Sequence, residues 1–182
     1  MTGIIKVTKT VSQIAETLHW MGAAVLLVVS VGAKLLPGLF LQASDIAPTG
    51  TEVEVYGFEL TIPAANGTPD TTALLIFGLG GALLLGLMAM IFRNLKLILT
   101  NSENGTPFQS DNVHLLKEIG IFAIAGPIVG LVFSLICRLA LGVETAETSV
   151  DLYGIWMGLA VLCLTQFFAH GVELERDVDG LV

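Results

Sequence analysis

The side chains best suited to metal or acid–base chemistry in this sequence are its three histidines. His19, His114 and His170 each lie near the beginning or end of a long apolar run. Histidines that face one another on neighbouring helices can ligate haem or a metal ion. No two of them have a local ligand spacing such as H-x-x-x-H, and a histidine at a membrane interface is ordinary because its ring is amphipathic. The pattern therefore favours interfacial histidines over a metal or haem site.

The two cysteines and the hydroxyl side chains add no catalytic site. Cys137 and Cys163 differ in predicted depth by roughly 10 Å at 1.5 Å per residue, which makes a disulfide between them improbable. The sequence has no G-x-S-x-G, no phosphate-binding glycine-rich loop, no Cys-x-x-Cys and no H-E-x-x-H. Ser30, Ser134 and Thr165 have no obvious base at matching depth. We therefore expect no enzymatic activity, no catalytic residues, no metal and no cofactor.

Four long apolar runs must position every one of these side chains. Apolar residues make up 54% of the chain and charged residues 13%, with a mean hydropathy of +0.83. A hydrocarbon core of roughly 30 Å is crossed by about 20 helical residues. The runs therefore predict an all-α membrane protein, a four-transmembrane-helix bundle. Its spans are residues 20–41, 72–92, 119–141 and 152–174.

The basic residues predict how these spans are oriented. Short loops rich in Lys and Arg stay on the cytoplasmic side of a membrane. The segments 42–71 and 142–151 contain neither residue, whereas 1–19, 93–118 and 175–182 contain six of the eight. Both termini and the middle loop are predicted to be cytoplasmic, in a bacterial cytoplasmic membrane. Half of the acids that give the net charge of -8 then lie outside, which is typical of a solvated outer surface.

An apolar stripe at steps of three and four marks the N-terminal segment. Its members are Ile4, Val7, Val11, Ile14, Leu18 and Met21. This spacing predicts an amphipathic helix that continues directly into the first span. The stripe lies on the membrane or on a partner, or it is covered by the protein's own middle loop. Spacing alone indicates only that one face of the helix is buried.

The first outer loop has the alternation of a β-hairpin. Val53 and Val55 alternate with acids, residues 58–62 alternate apolar and polar side chains, and Tyr56-Gly57 separates the two runs. A two-stranded hairpin is marginal by itself, so its apolar face is expected to rest on the outer ends of the helices or on a second subunit. It is either a lid over the bundle or a surface for an extracellular ligand.

Small residues recur every four positions inside the runs. They are Gly78, Ala82 and Gly86 in the second, Gly126 and Gly130 in the third, and Gly154 and Gly158 in the fourth. Such stripes let helix backbones approach closely where lipid provides no hydrophobic drive to associate. They predict tight packing within one bundle or between the chains of a homo-oligomer. Pro127 predicts a kink in the third span.

Two charged residues lie late in the first and third apolar runs. Lys34 and Arg138 fall near the predicted outer surface, where Asp151 and other outer acids can pair with them. We interpret Lys34, Arg138 and Asp151 as an outer electrostatic clasp. A pathway for an anion would need further charge near the midplane. The central stretches of the four runs contain no Asp, Glu, Lys, Arg or His, which argues against a proton relay or ion-coupled carrier.

The remaining signals lie in the predicted cytoplasmic parts. Residues 93–118 predict a helical hairpin with a turn near Pro107, and Phe108 at its tip docks on a partner or packs between the two helices. The chain then ends in an acidic segment that is a solvated tail or a contact for a basic cytoplasmic protein. Its candidate partner-binding residues are Glu173, Glu175, Asp177 and Asp179.

A family resemblance rests on short motifs, most of them in the second half of the chain. These are Gly105-Thr-Pro-Phe108, Asp151-Leu152, Gly158-Leu159, and Phe168, Gly171, Leu174, Asp177 and Asp179 at the end of the fourth span. With the four-span layout and the β-like outer loop, they resemble the bacterial family named domain of unknown function 2975. Its members are frequently encoded beside a small Cro-like helix-turn-helix regulator, and it has no established catalytic residues.

Two function classes follow for this chain. The resemblance implies a non-enzymatic membrane protein that controls or anchors a small cytoplasmic helix-turn-helix regulator, without binding nucleic acid itself. The alternative is a small transporter, a channel or an accessory subunit of a membrane complex. The absence of central charge favours the first class over the second.

Overall fold

Four long helices make up most of the structure, a computed structural model that describes residues 2–40, 52–65, 68–104, 106–142 and 152–179. The helices are α1 (Thr2–Leu35), α3 (Thr71–Asn104), α4 (Ser110–Leu141) and α5 (Leu152–Asp179), and a short α2 (Pro37–Phe40) follows α1. All four long helices are long and apolar enough to cross a membrane, which confirms the four predicted apolar helices. The chain is thus compatible with a multi-pass membrane protein.

The long helices exceed what a bilayer requires. The longest have 34 residues and the shortest has 28. At 1.5 Å per residue these correspond to about 51 Å and 42 Å, against a hydrocarbon core of roughly 30 Å. Each helix therefore extends beyond such a core, which agrees with the predicted amphipathic extension of the first span and the predicted helical hairpin at residues 93–118.

Local chemistry explains where α1 ends and α3 begins. The first span was predicted to run to Leu41, but α1 ends at Leu35 because Pro37 disfavours a helical conformation at the preceding residue. Before α3, the Asp70 carboxylate accepts hydrogen bonds from the Thr72 N–H at 2.6 Å and the Ala73 N–H at 3.4 Å. Asp70 is thus the N-cap of α3. In α4 the helix is continuous through Pro127.

The predicted β-hairpin is present between α2 and α3. Strands β1 (Glu52–Val55) and β2 (Phe58–Thr61) pair antiparallel, with Val53 opposite Leu60 and Glu54 opposite Glu59. Tyr56 and Gly57 have φ values of 50° and 78°, as a two-residue type I′ turn requires. A second, shorter pair, β3 (Ala64–Ala65) and β4 (Thr68–Pro69), leads into α3 and has no counterpart in the predictions.

The chain divides into two compact units. The first comprises Met1–Leu18, Leu87–Ala125 and Leu152–Val182, and the second comprises His19–Gly86 and Gly126–Asp151. Helices α1, α3 and α4 each contribute residues to both units, whereas the β-hairpin belongs to the second. The two units differ in what fills their interiors.

The second unit has an apolar core built around the hairpin. Phe58 and Leu60 of β2 and Cys137 of α4 are fully buried, and Phe77 of α3 is buried beside them. The Phe58 ring lies 5.6 Å from the Phe77 ring and 6.0 Å from the Phe133 ring, measured between centroids. One face of the hairpin therefore packs on α3 and α4, and the face that carries Glu54 and Glu59 is turned away from this core.

The hairpin lies along the helices, whereas the sequence predicted contact with their outer ends. A Cβ on Gly81 would lie 3.5 Å from Val55 Cγ2, and Gly81 is nine residues beyond Thr72. Nine residues correspond to about 13.5 Å along α3. At the turn, the Tyr56 hydroxyl contacts His19 Nε2, about 22 Å along α1 from Lys34. The hairpin thus reaches well beyond the level at which α3 begins.

The first unit has a mainly polar interior. Ser12, Asn94, Asn112 and Thr165 are only 1–4% exposed, and each side chain is hydrogen bonded within the chain. Ala89 is its one fully buried apolar residue among those that the structure describes. This unit is consequently held by directional hydrogen bonds and backbone contacts more than by apolar volume.

Close backbone approach between α4 and α5 supports part of the predicted small-residue packing. A Cβ on Gly158 would lie 2.7 Å from the Gly120 carbonyl oxygen, closer than real Cβ atoms come. In the second unit, a Cβ on Gly78 would overlap the Ser30 side chain. Gly126 is different, because nothing lies within 4 Å of the position its Cβ would take. Gly126 therefore does not make the predicted close contact within the chain, and packing on a second chain stays a prediction.

Candidate functional site

Four of the residues that carry the family resemblance, Thr106, Phe108, Phe168 and Gly171, meet in the first unit at the turn between α3 and α4. The Thr106 hydroxyl accepts a hydrogen bond from the Phe108 N–H at 2.9 Å and donates one to Glu175 Oε2 of α5 at 2.9 Å. The Asn112 side-chain amide donates to the Pro107 carbonyl at 3.0 Å and accepts from Asn101 at 2.9 Å. These bonds hold residues 106–109, the α3–α4 turn, in one conformation against α5.

The Phe108 ring joins the α3–α4 turn to α5. Its centroid lies 5.5 Å from that of Phe168, and a Cβ on Gly171 would overlap the ring. Gly171 thus makes room for Phe108, since any larger residue would displace the ring. The sequence left two alternatives for Phe108, docking on a partner or packing between the two helices of the hairpin. The ring instead packs on α5 and is 42% exposed.

The opposite side of α5 is exposed and combines apolar with acidic side chains. We define the outward face of α5 as Phe167, His170, Glu173, Leu174 and Asp177. Phe167, His170, Leu174 and Asp177 recur at steps of three and four, and Glu173 is adjacent to Leu174. Phe167 and Leu174 are 72% and 67% exposed. His170 Nδ1 lies 3.1 Å from Glu173 Oε2, with both side chains mostly exposed. Such a face suits a partner helix that carries apolar and basic side chains.

The structure separates the five candidate partner-binding residues into three groups. Phe108 and Glu175 contact other residues of the same chain and hold the α3–α4 turn. Glu173 and Asp177 lie on the outward face of α5 and are exposed. The side chain of Asp179 lies outside the described residues. Only Glu173 and Asp177 therefore combine a described position with full access from solution.

Ion pairs fix α1 to α3 beside this region. Lys9 Nζ lies 3.0 Å from Glu103 Oε2, and Lys96 pairs with Glu16. Next to them, the Asn94 amide donates to Glu118 Oε2 at 2.8 Å. The polar face of α1 is thus the one that packs inside the first unit.

No described contact joins two of the histidines. His114 pairs with Glu118 at 3.4 Å and His170 with Glu173, each on its own helix, and His19 stacks on Tyr56 with centroids 5.9 Å apart. Among the residues that the structure describes, no group of three or more His, Cys, Asp or Glu side chains could hold a metal ion. Both cysteines are free thiols.

Only part of the predicted outer clasp can be placed. Lys34 Nζ donates to Thr72 Oγ1 at 2.9 Å, which ties the end of α1 to the beginning of α3. Arg138 lies in the last turn of α4. Asp151 lies outside the described residues, so an ion pair among Lys34, Arg138 and Asp151 stays a prediction.

The hairpin is a second candidate site. Glu54 and Glu59 face each other across β1 and β2 on the side turned away from the apolar core. Two like charges directly opposite one another destabilise a strand pair. Near them, Tyr56 adopts a positive φ that is uncommon for a bulky residue, and its hydroxyl contacts His19. The turn therefore fixes a polar contact between the hairpin and α1.

No protein-family model, curated protein sequence or solved structure matches this chain. Membership of the family named domain of unknown function 2975 therefore stays a prediction. The structure nevertheless gives a physical reason for several of the motif residues, because Thr106, Phe108, Phe168 and Gly171 take part in one connected set of contacts.

Sequence reasoning missed two elements of the first unit. The hydrogen bond from Thr106 to Glu175 joins residues 69 positions apart, and no local pattern reveals such a pair. Leu174 was noted only as a motif residue, although its spacing from Phe167 and Asp177 places all three on one helical face. That spacing is the signal that could have identified the outward face.

Replacing Gly171 with Ala tests the contact between the α3–α4 turn and α5. The added Cβ should displace the Phe108 ring and destabilise the protein by about 1–3 kcal/mol, as overpacking typically does. We expect a lower thermal midpoint in detergent and faster proteolysis within residues 104–109. Gly126→Ala is the matched control and should melt no lower than the unaltered protein. Equal melting and proteolysis of both variants would contradict the contact.

Proposed function

We propose that this chain is a non-enzymatic, multi-pass protein of a bacterial cytoplasmic membrane that holds a small, basic helix-turn-helix regulator at the membrane. The proposal assigns both termini and the α3–α4 turn to the cytoplasm, as the distribution of Lys and Arg favours. The outward face of α5 would then be available to a cytoplasmic protein.

The observation that carries the proposal is that one side of α5 packs within the chain and the other side is exposed. One side of the helix, at Phe168, Gly171 and Glu175, is occupied by the α3–α4 turn. The other side leaves Leu174 exposed between the carboxylates of Glu173 and Asp177. An exposed apolar residue flanked by acids suits a basic helix, because charge steers the encounter and apolar contact adds affinity.

The resemblance to the family named domain of unknown function 2975 supports the identity of the partner. Its members are frequently encoded beside a small Cro-like helix-turn-helix protein, which fits a basic partner of an acidic face. In this proposal the membrane protein contacts the regulator and not the nucleic acid, because the described outward face carries acids that repel phosphate.

Co-sedimentation with membrane vesicles tests the proposal. The probe is the purified product of the open reading frame beside this chain, which the proposal expects to be a small helix-turn-helix protein. It is mixed with vesicles that contain this chain. The double variant Glu173→Gln, Asp177→Asn should weaken binding about two- to thirtyfold, since each exposed ion pair contributes roughly 0.2–1 kcal/mol. Added salt should weaken binding to the unaltered chain in the same way.

Glu52→Gln, Glu54→Gln is the matched control, because it removes two acids from the hairpin and leaves α5 intact. This variant should bind as the unaltered chain does. The proposal fails if vesicles with the unaltered chain bind no more probe than empty vesicles, or if the α5 variant binds equally well.

A second candidate function, a small transporter or channel, gains support from the hairpin. The sequence alone places no charge at the centres of the four apolar runs, but the hairpin lies along α1 and α3 and carries Glu54 and Glu59. In a bilayer whose outer boundary lies at Thr72, Val55 would be about 13.5 Å deep. Carboxylates at such a depth mark ion pathways in many membrane proteins.

Flux into proteoliposomes tests this second function. If the hairpin lines a cation pathway, K⁺ flux should exceed that of empty liposomes and fall at least tenfold in Glu54→Gln, because the variant removes a charge without changing size. Arg138→Ala should have its main effect on Cl⁻ flux if the pathway carries anions. Flux at the level of empty liposomes for both ions would exclude the transporter.

A further inference from the structure

One face of α1 carries apolar side chains in an uninterrupted heptad pattern. The seam, as we call it, comprises Ile4, Val7, Val11, Ile14, Leu18, Met21, Val25, Val28 and Leu35. Successive members alternate steps of three and four, and Gly32 occupies the one position that completes the series. A period of 3.5 residues is that of helices wound around each other in a left-handed coiled coil.

Every seam residue is exposed, between 54% and 78%. The opposite side of α1 provides most of its contacts with the rest of the chain, although the Phe40 ring lies over Gly32 on the seam side. There Ser12, Ala23, Ser30 and Ala33 are buried, and Lys9 and Glu16 form ion pairs with α3. The predicted cover of the N-terminal stripe by the middle loop is therefore wrong.

Lipid cannot cover the whole seam. With 34 residues, α1 is about 51 Å long, whereas a hydrocarbon core is roughly 30 Å thick. About a third of the seam then extends beyond the hydrocarbon core, where a row of exposed Val, Ile and Leu is unfavourable. In the segment from Ile4 to Ile14 the polar face of the helix points toward the rest of the chain and the apolar face points away from it. A surface helix of a soluble globular protein has the reverse arrangement. A second apolar helix is needed to cover it.

The residues beside the seam favour an identical helix as that partner. In a coiled coil, charged residues at the flanking e and g positions select between different partners. The flanking residues of α1 carry no charge: Gly3, Thr8, Thr10, Ala15, Thr17, Gly22, Ala24, Val29 and Val31. The four charged residues of the helix, Lys6, Lys9, Glu16 and Lys34, all fall at the remote c and f positions. Two copies of α1 can therefore pair in parallel without like-charge repulsion.

We propose that the seam is a homo-oligomer interface in which α1 packs in parallel, residue against the same residue, on α1 of a second copy of this chain. Copies inserted in one membrane share an orientation, which makes the parallel arrangement available at no cost. The match then extends from Ile4 to Val28, because the Phe40 ring of α2 lies over Gly32 and fills the seam at that position. Small residues at the flanks allow the two backbones to approach closely.

Single-cysteine cross-linking in native membranes tests the interface. In a Cys163→Ala background, cysteine replaces Val7, Val11 or Ile14 on the seam, or Lys6 or Gln13 at exposed c positions, which serve as controls. We expect at least fivefold more disulfide-linked dimer, on non-reducing gels, at the seam positions. Because each chain carries one accessible cysteine, at most two chains can be linked. The assay therefore shows which face of α1 contacts a second copy, and it does not count the chains in the oligomer.

A charged substitution supplies the second measurement. Val11→Lys in the Val7→Cys chain should abolish the dimer, and Gln13→Lys in the same chain should leave it. Equal yields at seam and control positions would overturn the proposal, as would the absence of dimers at every position. A cross-linked product with the mass of a different protein at the seam would overturn it too.

Discussion

The packing of the β-hairpin against α3 and α4 is the constraint on which the second unit depends. Phe58 is fully buried beside the backbone of Gly80 and the rings of Phe77 and Phe133. Burying one such ring contributes roughly 1.5–3 kcal/mol. An isolated two-stranded hairpin is marginal, so the strands depend on the helices, and the helices depend on the strands to fill the space that Gly80 and Gly81 leave between them.

The interiors of the two units are filled by different kinds of side chain. The second unit fills its interior with the apolar face of the hairpin. The first unit has almost no large buried apolar side chain and is held by Asn94, Asn112, paired charges and the contact of Phe108 with Gly171. Directional contacts of this kind define a conformation but contribute little net stability. The first unit therefore rests mainly on directional contacts, and the second rests mainly on apolar burial.

Much of the architecture could be predicted from the sequence, because hydrophobic length and period-two alternation are local signals. The four helices, the hairpin and its Tyr56-Gly57 turn follow from them. The place where the hairpin docks could not be predicted, since alternation shows that a strand has an apolar face but not which helix receives it. The same limit applies to Phe108, whose partner Gly171 is 63 residues away. Glycine spacing was a weaker guide, because Gly78 and Gly158 lie in close contacts and Gly126 does not.

Charge and burial distinguish the exposed surfaces of α1 and α5. Lys9 and Glu16 of α1 pair with residues of α3, and the apolar seam of α1 is turned outward. On α5 the acids Glu173 and Asp177 are exposed, and Glu175 is hydrogen bonded within the chain. The apolar seam and the acidic outward face thus lie on different helices, α1 and α5. The hairpin lies along α1 and α3 in the second unit.

The position of the hairpin along α3 is measured most directly by an engineered disulfide. A Cβ on Gly81 would lie 3.8 Å from Val55 Cβ, within the Cβ separation of natural disulfides. In a chain with Cys137→Ala and Cys163→Ala, Val55→Cys with Gly81→Cys should lose both free thiols on mild oxidation, as counted by maleimide labelling and mass. Val55→Cys with Thr72→Cys should keep both. The reverse result would place the hairpin at the ends of the helices and contradict this account.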